Sequence, residues 1–271
     1  MALTAPASSW FVRVRRWPLA ALGAVIARWS RAAGLADIAT HHVYLPALGP
    51  EAVVIDAGAN LGEFAAEIRR RTGARVVALE PVPELRSKIE PAANLAILDG
   101  AIVGERERPI GEVEIHLSEN PQAHSSDPEI ASRFGARGTI RVRAWTLPAL
   151  LAELGIERVD LLKLDVEGAE LEVLETASAE TLGAIAQITV EFHDFLGDPE
   201  VAARVRAIRR RLGRFGFRAL VLSAPWGHHA DVLFLGPGVK VSRRARCHQA
   251  LLTGIALPLR GLVHRLRRGP T

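Results

Sequence analysis

The chain of 271 residues is short of several things, and each shortage removes a class of answer. Its one cysteine, Cys247, cannot close an internal disulfide. A reducing cytoplasm is then the simplest setting, and an inert thiol the simplest role for that residue. No apolar run reaches the eighteen or more residues that a membrane-spanning helix needs, so none is expected. Aromatic residues are 5% of the total and nowhere interleave with basic ones in the way that stacks nucleic-acid bases. No stretch reads G-x-G-x-x-G, the turn that cradles a dinucleotide pyrophosphate. No internal repeat is visible, which sets repeat architectures aside.

Apolar residues make up 49% of the chain, enough for one large α/β domain or two small ones and too many for disorder. The net charge of +4 is unevenly spread. Residues 1–50 carry five Arg against one Asp, and residues 239–271 carry eight Lys or Arg and no acid. The body between them is therefore acidic, which argues against a nucleic-acid channel through it. The basic ends suit anionic surfaces.

The stretch that organises the rest is Val53 to Phe64, V-V-I-D-A-G-A-N-L-G-E-F. Val53, Val54 and Ile55 read as a buried strand, Asp56 opens a turn carrying Gly58 and Gly62, and a helical pattern follows. Glycines let the backbone pass close to a ligand and take positive φ without steric cost. A second apolar strand, Val76 to Leu79, ends in Glu80, whose carboxylate can accept from two ribose hydroxyls at once. The D-x-G-x-N-x-G turn followed by E-P resembles the S-adenosylmethionine site of class I methyltransferases.

Further on, Asn94 to Val103 reads as a third strand and its turn, with Asp99, Gly100 and Ala101 as candidates to meet an adenine ring. Glu112 to Leu117 alternates as an extra strand, residues 118–139 read as a long polar loop, and Arg141 to Trp145 alternates again. Thr146 and Pro148 start a helix. Val159 to Leu164 forms the fourth main strand and runs into Lys163-Leu164-Asp165-Val166-Glu167-Gly168, at the strand end where open α/β sheets bind ligands. Lys163 and Asp165, two apart, share a face. Ile188 to Phe192 is the fifth strand, followed by His193 and Asp194. An Arg-rich amphipathic helix, Glu200 to Phe215, precedes a closing hairpin of Phe217–Leu222 and Asp231–Leu235.

In order along the chain, V-I-D-A-G-A-N-L-G, A-L-E-P-V-P-E-L, N-P-Q-A-H-S-S, L-L-K-L-D-V-E-G-A-E-L-E-V-L and T-V-E-F-H together resemble the FkbM family of S-adenosylmethionine-dependent methyltransferases. The resemblance covers about residues 45–238. It implies an α/β fold: a Rossmann-like, seven-stranded, mostly parallel sheet, helices on both faces and a C-terminal antiparallel hairpin strand. It also implies O-methylation of a sugar, glycolipid or secondary-metabolite hydroxyl. On this reading Asp56, Gly58, Asn60 and Gly62 hold the methionine end of the cofactor, Glu80 the ribose, and Asp99 and Ala101 the adenine. His193 is the first candidate for the base that removes the hydroxyl proton and Asp165 the second. A structural ion-pair network of Lys163, Asp165 and Glu167 is the alternative. An Asp165–Glu191–His193 grouping could hold a divalent cation, but no compact ligand spacing supports one and no metal is assigned. His124, Ser125 and Ser126 suit an acceptor-side lid. The chain departs from the family at Thr146-Leu147-Pro148, where T-L-D is usual, so a carboxylate is missing there.

Three segments are expected: residues 1–44, basic, apolar and helical; residues 45–238, the methyltransferase domain; and residues 239–271, a basic amphipathic tail. Both ends suit peripheral contact with the inner membrane face of a cytoplasmic protein. The competing classes are a nicotinamide-dependent oxidoreductase and a non-catalytic, cofactor-binding, membrane-tethered scaffold. Nucleic-acid methylation is weaker still, because the fourth strand ends K-L-D-V-E-G and not D/N-P-P-Y.

Overall fold

Leu35–Ile38 (β1) and His41–Tyr44 (β2) form a two-stranded hairpin inside the stretch expected to be helical. Its connection, Ala39-Thr40, contains neither Gly nor Asn, yet both residues take positive φ, 46° and 72°. That is the backbone of a two-residue primed turn, whose twist matches the strands it joins. A β-branched residue rarely adopts it. The structure is a computed structural model, and it describes residues 28–106, 110–120, 124–192, 199–220 and 231–251.

After a short 3₁₀ turn the chain alternates between strands and helices. Val53–Ala57 (β3) leads into the helix Glu63–Thr72, and Arg75–Leu79 (β4) into a single turn, Pro83–Arg86. Leu95–Leu98 (β5) is followed at once by Ala101–Ile102 (β6), and then by Ile110–Ser118 (β7) and Ala136–Trp145 (β8). The helix Leu147–Leu154 precedes Leu161–Leu164 (β9). Two further helices, Glu170–Thr176 and Ala179–Gly183, precede Gln187–Glu191 (β10). The helix Pro199–Arg214, Arg218–Leu220 (β11) and Asp231–Leu235 (β12) complete the unit.

Seven strands make the main sheet, in the order β11-β12-β10-β9-β3-β4-β5. β3, β4, β5, β9 and β10 pair in parallel, while β12 runs antiparallel to both β10 and β11. This is the expected mostly parallel sheet with its antiparallel closing hairpin. The topology reverses between β3 and β9, the place where such sheets open a crevice for ligands.

Period-two alternation decides what each face buries. Ile55, Leu162, Leu164, Ile188, Val190 and Phe234 point into the larger core, with Leu150 and Leu174 from the helices that follow β8 and β9 and Ile208 from the helix before β11. Val54 and Leu161 point the other way, under the hairpin residue Val43 and under Phe64, Ala65 and Ile68 of the first helix. Lys163 shares the parity of Leu161, and Asp56 that of Val54. Two charged residues are therefore carried to the inside of the second face.

The polar stretch 118–139 is not one loop. It contains a helix, Pro128–Arg133, capped by Asp127, whose Oδ1 accepts from the backbone N–H of Glu129 at 2.8 Å. Its end is the start of β8, which pairs antiparallel with β7 down to Ser118 and Ala136. Cross-strand backbone bonds hold these residues while most side chains of Ala136–Thr139 stay in water, so no apolar alternation announces the strand. β6, β8 and β7 form a second, three-stranded sheet.

By contact the chain groups into two units. The larger comprises residues 36–222 and 228–240, and so takes in the β1–β2 hairpin except its first residue, Leu35. The described residues of the two chain ends belong to the smaller unit, which holds the helix Arg243–Leu251 and a Ser30 Oγ–His248 Nε2 hydrogen bond of 2.8 Å. Among the described residues no helix is long and apolar enough to cross a membrane.

Candidate active site

Strand register sets charged and polar side chains in two successive rows on the face covered by the hairpin. In the inner row Asp56, Lys163 and Thr189 stand opposite one another on β3, β9 and β10. Lys163 Nζ lies 3.0 Å from Asp56 Oδ1 and donates to the carbonyl of Gly58 at 2.8 Å. The Asp56 carboxylate is 0% exposed and the Lys163 side chain 4%. Burial alone would discharge such a lysine. Asp56 and then Asp165 more than offset that, so its pKa is raised and the ammonium persists.

The outer row stands two residues nearer the carboxyl ends of the parallel strands. Glu191 faces Asp231 across β10 and β12, and Asp165 follows β9 on the same side. Asp165 Oδ2 is 3.4 Å from Lys163 Nζ and 3.3 Å from His41 Nε2, which reaches it from β2. His41 is buried, with Phe64 edge-on at 5.6 Å and Asp231 Oδ1 3.8 Å from its Nδ1. Asp165 is 26% exposed and lines a cavity, as do Lys163 and Glu191.

That cavity, about 380 Å³, opens at the carboxyl ends of β3, β4, β9 and β10 and is within the range of small-molecule sites. Its floor is the turn after β3. Gly58 takes φ 79°, and a Cβ there would lie 1.8 Å from the carbonyl oxygen of Asp165, so only glycine fits between the two loops. Asn60, at φ 50°, is one of the few side chains tolerated in that region. Its backbone N–H donates to Glu80 Oε2 at 2.8 Å, while Glu80 Oε1 accepts from the N–H of Val82 at 2.9 Å. Burial pushes the Glu80 carboxyl up, and the two backbone donors partly restrain it. Each Glu80 oxygen keeps a lone pair for a further donor. The residues therefore suit an adenosine-bearing ligand: a fixed acidic acceptor beside a glycine floor, with the apolar side chains of Ile102, Val113 and Ile115 on another wall.

Of the residues singled out in the sequence for the cofactor or the proton, Gly58, Asn60, Glu80, Gly100, Ala101 and Asp165 line this cavity. Asp56 does not. Its carboxylate faces Lys163, and any effect on a ligand passes through that lysine, which does line it. Gly62, at φ 80°, caps the first helix, and Ile89 would crowd a Cβ at 2.8 Å. The Asp99 side chain is exposed and away from the lining, while its carbonyl accepts from Trp145 Nε1 at 3.1 Å. His193 lies outside the described residues, as does the A-P-W-G-H-H segment. Glu167 also lines the cavity, and its carbonyl accepts from Ser125 Oγ. His124 and Ser126 reach the cavity wall. His124 Nδ1 accepts from the N–H of Ser118 at 3.0 Å, and burial lowers the pKa of the ring. Two residues of the outer row, His41 and Asp231, were missed. The signal available was weak: a histidine at an inward position of the alternating H-H-V-Y, and an acid opening an otherwise apolar strand.

Residues 56–219 match the family described as the methyltransferase FkbM domain. His41 and Asp231 fall on either side of that stretch. Among curated proteins the chain is 31% identical over 214 residues to the AMB antimetabolite synthetase AmbE of Pseudomonas aeruginosa, covering 64% of this chain and 10% of that one. It thus spans only a tenth of that relative's length. It is 27% identical over 204 residues to the 2-O-methyltransferase NoeI of Sinorhizobium fredii, covering 68% of this chain and 79% of NoeI. Among solved structures, the Methanococcus jannaschii fibrillarin pre-rRNA processing protein aligns over 78% of this chain and 74% of its own, at 14% identity and a TM-score of 0.43.

Proposed function

The chain belongs to the FkbM methyltransferase family, and from that premise we propose that it methylates a hydroxyl oxygen on a polar small molecule of the carbohydrate or secondary-metabolite class. The observation that carries the reading is the pairing, across one cavity, of a Gly58–Asn60–Glu80 cradle with the carboxylates of Asp165 and Glu191. The name of NoeI, a 2-O-methyltransferase, favours oxygen over nitrogen as the acceptor atom.

Bound in the cradle, S-adenosylmethionine supplies an electrophilic methyl carbon. Glu80 would take the ribose hydroxyls, and the backbone around Gly58 and Asn60 the methionine end, with the Lys163 ammonium held back by Asp56. The remaining task is to hold the acceptor oxygen in line and to remove its proton. Asp165 is the described residue suited to that task. It faces the cavity, and its Oδ2 is steadied by Lys163 on one side and His41 on the other. His193, outside the described residues, is the other candidate base.

Calorimetric titration with S-adenosylhomocysteine tests the cradle. Wild type should bind. Glu80→Gln should lose about 1.5–3 kcal/mol, as for a hydrogen bond to a charged group. Binding of NAD(H) in its place would sink the reading and favour an oxidoreductase. Cofactor binding without turnover on any hydroxylated acceptor would favour the scaffold.

A further inference from the structure

Among the described residues one set of side chains has the composition and spacing of a metal centre. His41, Asp165 and Glu191 each place a ligand atom within 4.8 Å of the others. We propose that these three residues bind a divalent cation of the Mn²⁺ or Mg²⁺ class beside the methyl-acceptor position. The inference rests on the methyl-transfer reading and adds a component to it.

Spacing alone would not carry this, because acidic residues often cluster without an ion. The histidine carries it further. The His41 ring is 1% exposed, and its Nδ1 makes no hydrogen bond among the described residues. Buried ring nitrogens are ordinarily bonded. Here Nδ1 is turned towards Asp231 Oδ1 at 3.8 Å, and Nε2 towards Asp165 at 3.3 Å. A carboxylate behind one ring nitrogen, with the other aimed into a carboxylate-lined opening, is the arrangement that orients a ligating imidazole. A second polar group on the same face, Thr189 Oγ1, is fully buried and also without a hydrogen bond among the described residues. It stands two residues before Glu191 on β10, in the inner row beside Lys163.

Lys163 limits where the ion can sit. Its ammonium is tied to Asp56 and the Gly58 carbonyl, on the β3 side of Asp165. Glu191 and His41 approach from the β10 and β2 side. A cation between these two and Asp165 would share Asp165 Oδ2, which lies 3.3 Å from His41 Nε2 and 3.4 Å from Lys163 Nζ, with the lysine. Two carboxylates favour a hard ion and one imidazole favours a softer one, and Mn²⁺ accepts both. Such an ion would fix the direction of an acceptor hydroxyl and draw electron density from its O–H bond. Asp165 would keep its other oxygen for the proton.

The test uses the full chain, stripped with EDTA and titrated with MnCl₂, with free Mn²⁺ read by electron paramagnetic resonance. Each sample is also titrated with S-adenosylhomocysteine. One Mn²⁺ per chain is expected, weakened about tenfold or more in both His41→Gln and Glu191→Gln. Should His41→Gln fail to fold, Glu191→Gln on the open side still decides. Protein that binds S-adenosylhomocysteine but no Mn²⁺ overturns the cation site and leaves methyl transfer standing. Mn²⁺ bound equally by wild type and both variants also overturns it, since the ion then lies elsewhere. Mn²⁺ bound at these residues without S-adenosylhomocysteine would support the ion site and sink the methyl-transfer reading instead.

Discussion

Two neighbouring rows of charge on one face of the sheet stand in opposite relation to water. Asp56 and Lys163 form a buried ion pair in which the carboxylate is wholly enclosed and only the lysine touches the cavity. Asp165 and Glu191, one register step further along, open onto the cavity. Each row contains an aspartate, paired with a lysine in the inner row and grouped with further carboxylates and a histidine in the outer. What differs is distance from the strand ends, and that decides whether a carboxylate is enclosed or lines the cavity. The inner pair holds the Gly58 carbonyl and so shapes the floor of the cavity, while the outer row is left to act within it.

The largest effect that separates the rows is on stability. Asp56→Ala leaves a buried ammonium without its nearer partner and should cost about 3–5 kcal/mol in urea unfolding. A variant as stable as wild type that had lost cofactor affinity would break the division, because Asp56 would then be a ligand-holding group. Next comes Asp165→Asn. Turnover should fall roughly a hundredfold or more, as for loss of a general base, with a much smaller change in unfolding free energy. The reverse outcome, lost stability with retained turnover, would assign Asp165 to the inner network. The smallest effect is in pH. The Lys163 pKa is raised above its ordinary 10.5 in the folded chain. Its contribution is fully present below that value and lost as pH rises through the folded pKa. Wild type should therefore lose stability on the alkaline side more steeply than Lys163→Met. Parallel curves would mean that the pair contributes nothing to folding.

Much of this division is legible in the sequence. The run of Val53 to Asp56, the glycines at 58 and 62, and the two-residue offset of Lys163 and Asp165 announce a sheet, a turn and a shared face. They do not say that Asp56 stands opposite Lys163, because parallel neighbours are fixed by sheet order and not by local pattern. That register makes Asp56, expected at the methionine end of the cofactor, the partner of a lysine that lines the cavity. The hairpin before the sheet escapes notice for another reason. Ala39-Thr40 carries no Gly or Asn to mark a turn, and the backbone takes positive φ regardless. The Ala136–Thr139 end of β8 is hidden because its side chains mostly face water.

The route by which β2 reaches the outer row bears on how the protein is made. Tyr44 exchanges backbone hydrogen bonds with the side chain of Gln187, 143 residues away, and β2 packs against both β10 and β12. His41 meets Asp165 across 124 residues and Asp231 across more. Contacts of such long sequence separation form late, after loop closure has been achieved elsewhere. During synthesis the first glycine turn and its helix emerge early, yet their neighbour β2 must wait for strands translated near the end. The turn at Gly58 thus meets Lys163 and Asp165 only once β9 has been made, and the outer row gains its last carboxylate, Asp231, only with β12.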